Sequence, residues 1–143
     1  MRGVSEMEFY RVAVDLNTEL SSFLMSEKNV PKKWRSVYVY PVLSMMDSLF
    51  DCMEDANAIW PYPDEAVDER KRLQKCCINY VIKIYGKLQR AMQVVWWQKL
   101  HMDESSPERL RIEFHLTKIG DLLDREEALL TGWRKSTKLL HRK

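Results

Sequence analysis

The sequence predicts an all-α protein, built as an antiparallel up-and-down bundle of four helices. Three observations lead to this prediction. The chain has only four glycines and five prolines in 143 residues, and its β-branched residues form no alternating runs. Apolar residues recur every three or four positions over four long segments, which is the spacing of a helix with one buried face. Short turns separate these segments, as is typical of antiparallel helical neighbours.

A proline turn separates the first two helices. The first helix is predicted over residues 6–26, with Ser5 and Glu8 at capping-box spacing. Pro31 suits the first turn of a second helix over residues 32–59. Pro41 is expected to kink that helix, because proline lacks the backbone N–H that a helix interior needs.

The second pair of helices follows a stiff turn at Trp60-Pro61-Tyr62-Pro63, where each residue before a proline avoids helical geometry. The third helix is predicted over residues 65–100. The fourth begins at Pro107, capped by Ser105, and closes near Trp133.

The chain therefore divides into a bundle domain over residues 1–133 and a basic C-terminal tail over residues 134–143. Arg134 and Lys135 begin this tail. It is interpreted either as an ordinary basic tail or as a mobile arm that binds phosphates.

The charges invert halfway along the chain. Residues 36–69 carry eight acids and no lysine or arginine, whereas residues 70–102 carry eight lysines and arginines and no acid. At helical spacing each block lies opposite its helix's apolar stripe, so both faces point away from the core. Three interpretations of these charged faces are open. Both are simply solvated, or the acidic and basic faces of neighbouring subunits meet, or the basic face binds phosphates or an acidic partner. The candidate phosphate-binding residues of the third helix are Lys71, Arg72, Lys75, Lys83, Lys87 and Arg90.

An oligomer or partner contact is predicted near the end of the third helix. Val94, Val95, Trp96 and Trp97 are consecutive, so they point in every direction around a helix and one core cannot cover them all. The alternative is that the first helix and the 60–63 turn cover them.

The sequence lacks the patterns expected of an enzyme or a metal site. It has no glycine-rich phosphate loop, and its three histidines lack metal-ligand spacing. His115 and Glu126 fall on or near the apolar stripe of the fourth helix, where a structural or subunit contact is expected rather than an acid–base pair. No catalytic residue, metal, cofactor or small-molecule substrate is therefore predicted.

The cellular compartment is predicted from the cysteines and the hydropathy. The three cysteines are an odd number and two are adjacent, so no disulfide framework is implied and a reducing cytoplasm is expected. No membrane span or signal segment is expected either.

The order of landmarks resembles a known family. Val30-Pro31-Lys32-Lys33-Trp34-Arg35 opens the second helix, and Leu130-Thr131-Gly132-Trp133-Arg134-Lys135-Ser136 closes the fourth. In this the chain is similar to the Avd-like proteins, the accessory variability determinants of diversity-generating retroelements. It is also similar to the four-helix-bundle proteins encoded in ribosomal-RNA intervening sequences.

This resemblance implies a ring-like homopentamer that binds a reverse transcriptase and its template RNA or cDNA. The chain would be a non-catalytic subunit that supports mutagenic cDNA synthesis, with Lys32, Lys33, Gly132 and Trp133 at the family's motif positions. The alternative function is a homo-oligomeric adaptor between proteins with no nucleic-acid role. The candidate interface residues are Val94, Trp96, Trp97 and Trp133.

Overall fold

All regular secondary structure in residues 3–141 is helical, so the predicted all-α class is confirmed. The computed structural model describes residues 3–141, and no β-strand occurs among them. The five α-helices are α1 (Glu8–Leu24), α2 (Tyr40–Ala58), α3 (Asp64–Val94), α4 (Trp97–Leu100) and α5 (Pro107–Ser136). A short 3-10 helix, Val4–Glu6, precedes α1, whose N-cap residue is Met7.

The four long helices pack in a closed order, with α1 on α2, α2 on α3, α3 on α5 and α5 on α1. Their apolar stripes meet in one core, because each helix repeats buried residues at the predicted spacing. Ion pairs join α1 to α5, through Glu8 with Arg125 and Glu19 with Lys118.

The second helix departs from the predicted span of residues 32–59. A 3-10 turn, Lys32–Trp34, and a π-helical segment, Arg35–Val39, precede α2, which begins at Tyr40. Pro41 therefore occupies the first turn of α2 instead of kinking its interior. The wider π turn suits this position, because a proline ring clashes with the carbonyl four residues earlier in a regular α-helix.

The third helix ends earlier than the predicted residue 100. α3 ends at Val94. The helix is interrupted at Val95 and Trp96, and the short helix α4 begins at Trp97. The break places the Trp96 side chain in the core, where its indole N–H donates to the backbone carbonyl of Asn29 at 2.8 Å. Burial of this large ring stabilises the interruption of the helix.

The cap of α5 is Ser106, one residue after the predicted Ser105. The Ser106 hydroxyl accepts from the backbone N–H of Arg109, whereas the hydroxyl and backbone N–H of Ser105 both donate to Asp103 Oδ1 in the preceding loop. Both serines precede Pro107 closely enough to cap, and the loop geometry decides between them.

The C-terminal segment is packed against the rest of the chain as far as it is described. Arg134 and Lys135 belong to the last turn of α5, which continues to Ser136. The Leu140 N–H donates to the Pro61 carbonyl at 2.9 Å, and the Trp60 indole donates to the carbonyl of His141 at 2.8 Å. Residues 137–141 are thus bound to the α2–α3 turn instead of forming a separate arm, while positions 142 and 143 of the predicted tail lie outside the described residues.

Candidate nucleic-acid interface

The predicted phosphate-binding residues of α3 lie on one side of that helix. Arg72, Lys83 and Arg90 are exposed, and they are 11 and 7 residues apart. These separations are about three and two helical turns, so the three side chains lie in one line opposite the buried stripe. We use the name cation face for the six predicted residues of α3, which are Lys71, Arg72, Lys75, Lys83, Lys87 and Arg90.

Only one member of the cation face contacts a carboxylate among the described residues. Arg72 Nε donates to Glu69 Oε2 at 2.9 Å, one turn earlier on the same helix. This hydrogen bond raises the pKa of Arg72 and lowers the pKa of Glu69. Within residues 3–141 the other five members form no ion pair.

The acids of α2 do not neutralise the cation face. Asp47, Asp51, Glu54 and Asp55 are exposed, and none of them forms an ion pair with a described residue. Their charges therefore remain available to solvent or to a partner, as the outward-pointing geometry predicts.

Aromatic rings lie between the lysines at one end of the cation face. The Lys87 ammonium is 5.4 Å from the Tyr38 ring centre, and the Lys83 ammonium is 5.3 Å from that of Tyr80. Tyr38 contacts Trp34, with their ring centres 5.9 Å apart, and the Lys33 ammonium is 5.5 Å from the Trp34 ring. These contacts bring the Lys32–Trp34 turn to the cation face.

The two lysines of this turn have different surroundings. Lys32 is 3.9 Å from Glu27, and because both side chains are well exposed this pair adds little stability. Lys33 is exposed and has no ion-pair partner in the described part of the chain.

A second basic cluster lies near the start of α3. Arg134 Nε donates to the backbone carbonyl of Lys71 at 3.2 Å, and Lys135 is exposed one residue further along α5. Lys71 precedes Lys83 by 12 positions, which is about 18 Å along a helix. The predicted nucleic-acid residues therefore form two groups, one at each end of the cation face.

Arg70 belongs to the basic block of the sequence but not to its surface. Its side chain is buried, and its guanidinium donates to the carbonyls of Ala56 and Ile59 at the end of α2. It also lies over the Trp133 ring at 5.4 Å, and burial lowers its pKa. Because these contacts satisfy the last carbonyls of a helix, Arg70 is structural.

The predicted interface residues separate into exposed and buried ones. Val94 and Trp97 are exposed, Trp97 by 52%, and remain candidates for a partner contact. Trp96 is completely buried in its own chain, so its place in a partner interface was predicted wrongly. Trp133 is half-buried and stacks on Phe9 with ring centres 4.2 Å apart, so most of its ring is engaged within the chain.

Sequence reasoning missed an apolar groove between α3 and α5. A cavity of about 260 Å³ lies in it, lined by Tyr85 and Met92 from one helix and by Leu116 from the other. Beside it Phe114 is 64% exposed, the largest exposure of any large apolar side chain in residues 3–141. Further along the groove, the α5 side carries the acids Asp124 and Glu127. The sequence did carry a signal for this groove, because Phe114 is a large apolar residue that lies off the apolar stripe of the fourth helix.

Glu126 is an acid buried in the apolar core. It is completely buried, and neither carboxyl oxygen has a hydrogen-bond partner in the described part of the molecule. Burial raises its pKa to about 8. Of the two contacts expected at Glu126, a structural polar contact does not occur in residues 3–141, whereas a subunit contact stays a prediction; burial disfavours the charged form of the carboxyl.

The three cysteines are free thiols. Burial, and to a smaller extent Cys76, raises the pKa of Cys52, and burial strongly raises that of Cys77. Raised pKa values oppose thiolate formation, so neither of these two residues is activated as a nucleophile. Among the described residues, no group of three or more His, Cys, Asp or Glu side chains is placed to hold a metal ion.

Comparison of this chain with protein-family models, with curated proteins and with solved structures gives no match. None of the helices in residues 3–141 has both the length and the apolarity needed to cross a lipid bilayer.

Proposed function

We propose that this chain is a non-catalytic RNA-binding accessory protein, in the role that its resemblance to the Avd-like proteins implies. The supporting observation is the cation face, five of whose six members have no carboxylate partner in residues 3–141. A row of such cations attracts phosphates, because each phosphate contact releases a condensed counterion. The nucleic acid is template RNA or its cDNA, and the protein partner is the reverse transcriptase of a diversity-generating retroelement.

In this proposal the chain acts as a scaffold. The cation face holds RNA phosphates while other surfaces hold the polymerase, so that template and enzyme stay close together. The three free cysteines suit the reducing cytoplasm in which such a complex would work. The chain itself supplies no covalent chemistry and needs no cofactor.

The proposed assembly is an antiparallel four-helix bundle repeated in a ring-like homo-oligomer, a pentamer by the resemblance. The apolar groove between α3 and α5 supports it, because exposed apolar surface of this kind marks contacts between proteins. Tyr85 and Met92 lie to one side of the line formed by Arg72, Lys83 and Arg90. A subunit seated in the groove would therefore leave that line accessible to RNA.

A charge reversal on the cation face tests the proposal. Arg90→Glu should weaken binding of a labelled RNA and should make its affinity less dependent on salt, by about 0.7 in the slope of log K against log salt for each lost contact with a single strand. Arg11→Glu is the matched control. Arg11 is also exposed and has no ion-pair partner in the described chain, but it lies on α1, which packs on α2 and α5 and does not carry the cation face. Equal affinity and slope for the two variants would refute the assignment.

The second candidate is the adaptor without nucleic acid, in which acidic and basic faces of neighbouring subunits meet. The exposed acids of α2 and of the groove favour it, because they offer partners to the cation face of another copy. Light scattering over a salt series separates the two candidates. An adaptor held by charge should dissociate at high salt, and added RNA should never compete with its assembly.

A further inference from the structure

The basic surface is most strongly aromatic where α3 passes the segment between α1 and α2. Tyr38 lies in the π-helical segment and Trp34 in the turn before it; both rings are partly buried against the core and keep one part at the surface. Tyr80, also partly buried, lies three residues before Lys83 on α3. We use the name ring cluster for Trp34 and Tyr38, whose ring centres are 5.9 Å apart, together with Tyr80, which lies seven residues before Lys87 on α3.

The lysine ammonium group on each of these rings has no carboxylate partner in the described residues. Lys33 lies over Trp34, Lys87 over Tyr38 and Lys83 over Tyr80. A lysine in water rests on a neighbouring ring when no anion is within reach, and at exposed sites such a contact is weak. A phosphate can therefore draw the ammonium groups away and leave the exposed parts of the rings to another planar group.

The two segments that carry the ring cluster contain no acid of their own, and Glu27, just before the first of them, is paired with Lys32 at 3.9 Å and Arg35 at 3.5 Å. Residues 28–46 contain no aspartate or glutamate, and neither do residues 70–102, so both segments that form the cluster lack acids. The potential there favours a polyanion. Lysines with interleaved aromatic rings are the pattern by which proteins bind single strands, with phosphates on the cations and bases stacked on the rings.

We propose that the ring cluster binds single-stranded nucleic acid by stacking unpaired bases on Trp34, Tyr38 and Tyr80 while Lys33, Lys83 and Lys87 contact the adjoining phosphates. This inference rests on the proposed function and specifies its ligand. A double helix keeps its bases inside the stack, so it can use the lysines but not the rings. The surface should consequently prefer single strands to duplexes of the same length.

Fluorescence anisotropy tests the preference, with a labelled 15-nucleotide oligouridylate and a labelled 15-base-pair RNA duplex as the probes. The unmodified chain should bind the single strand more tightly. Trp34→Leu and Tyr38→Leu should each weaken single-strand binding by about tenfold. Neither change should alter the slope of log affinity against log salt concentration, because no phosphate contact is removed. Duplex binding should also change little.

The matched control is Tyr85→Leu. Tyr85 is an exposed aromatic residue of α3 on the groove side, and no lysine lies over its ring in the described structure. This variant should bind the oligouridylate as the unmodified chain does. Thermal unfolding followed by circular dichroism shows whether each variant is folded before its affinity is compared.

The quenching of tryptophan fluorescence gives a second readout that does not depend on a leucine variant. A stacked base should quench Trp34, so Trp34→Phe should remove part of the quenching seen on saturation with oligouridylate while keeping most of the affinity. Equal affinity for single strand and duplex, together with unchanged binding by the leucine variants, would overturn the ring-cluster inference and leave the proposed function standing. No binding of either RNA would overturn both.

Discussion

Glu126→Gln should make the stability of this chain much less dependent on pH between about pH 5 and pH 8. Glu126 is completely buried without a hydrogen-bond partner in residues 3–141, and burial raises its pKa from 4.5 to about 8. The folded state therefore keeps a proton that the unfolded chain releases. Because the folded pKa is the higher one, this contribution to stability is fully present below pH 4.5 and is lost as the pH rises towards 8.

The size of the effect follows from the pKa difference. Between pH 4.5 and pH 7 the loss is about 3 kcal/mol, at 1.36 kcal/mol for each pKa unit. This is a large part of the 5–15 kcal/mol that holds a typical domain folded. Glutamine has nearly the same shape and no charge, so the variant should match the unmodified chain at pH 5 and exceed it in stability at pH 8.

Urea unfolding followed by far-ultraviolet circular dichroism at pH 5, 6, 7 and 8 measures this difference. Subtracting the two curves cancels the titration of all other groups. Glu127→Gln is the matched control, because Glu127 is the exposed neighbour on the same helix and should leave the pH dependence unchanged. Parallel stability curves for Glu126→Gln and the unmodified chain would refute the reasoning.

Three further predictions concern the core, the end of α2 and the groove. Trp96→Ala should destabilise the fold by about 3–5 kcal/mol, since it leaves a large cavity; a loss below 1 kcal/mol in urea unfolding would contradict the burial of this ring. Arg70→Met should lower the free energy of unfolding by about 1–3 kcal/mol, because the carbonyls of Ala56 and Ile59 lose their donor. An unchanged midpoint in the same assay would show that Arg70 does not stabilise the end of α2. Phe114→Asp should lower the oligomer mass measured by light scattering without lowering the thermal midpoint, and an unchanged mass would exclude Phe114 from the contact.

The periodicity of the sequence predicted the long helices because each buries one continuous stripe. That information is local, so α1, α3 and α5 begin within a few residues of the expected positions. The outward direction of the cation face follows from the same spacing. Glu126 was likewise placed on the apolar stripe, although the sequence could not show that its carboxyl would lack a partner.

The errors came from contacts between residues far apart in the chain. Four consecutive apolar residues do not reveal which one turns inward, and Trp96 is fixed by the carbonyl of Asn29, 67 positions away. The contact between Lys87 and Tyr38 was equally hidden, because it depends on how α3 passes the start of α2. Where two adjacent serines could cap α5, only the fold of the loop favoured Ser106.

The placement of charge on α2 and α3 has a consequence for encounters in solution. Arg70 reaches the end of α2 and Lys87 reaches Tyr38 before its start, so the two helices run in opposite directions. Asp51 and Asp55 then lie towards the turn that joins them, whereas Lys83 and Arg90 lie towards the other extremity. Lys71, Arg72 and Lys75 offset part of this separation at the acidic end, and the remainder is an electric dipole along α2 and α3, so an approaching polyanion would exert a torque before any contact forms. At about 0.1 M salt this turning force is confined to the last ~10 Å of approach, and in more dilute salt it acts from further away.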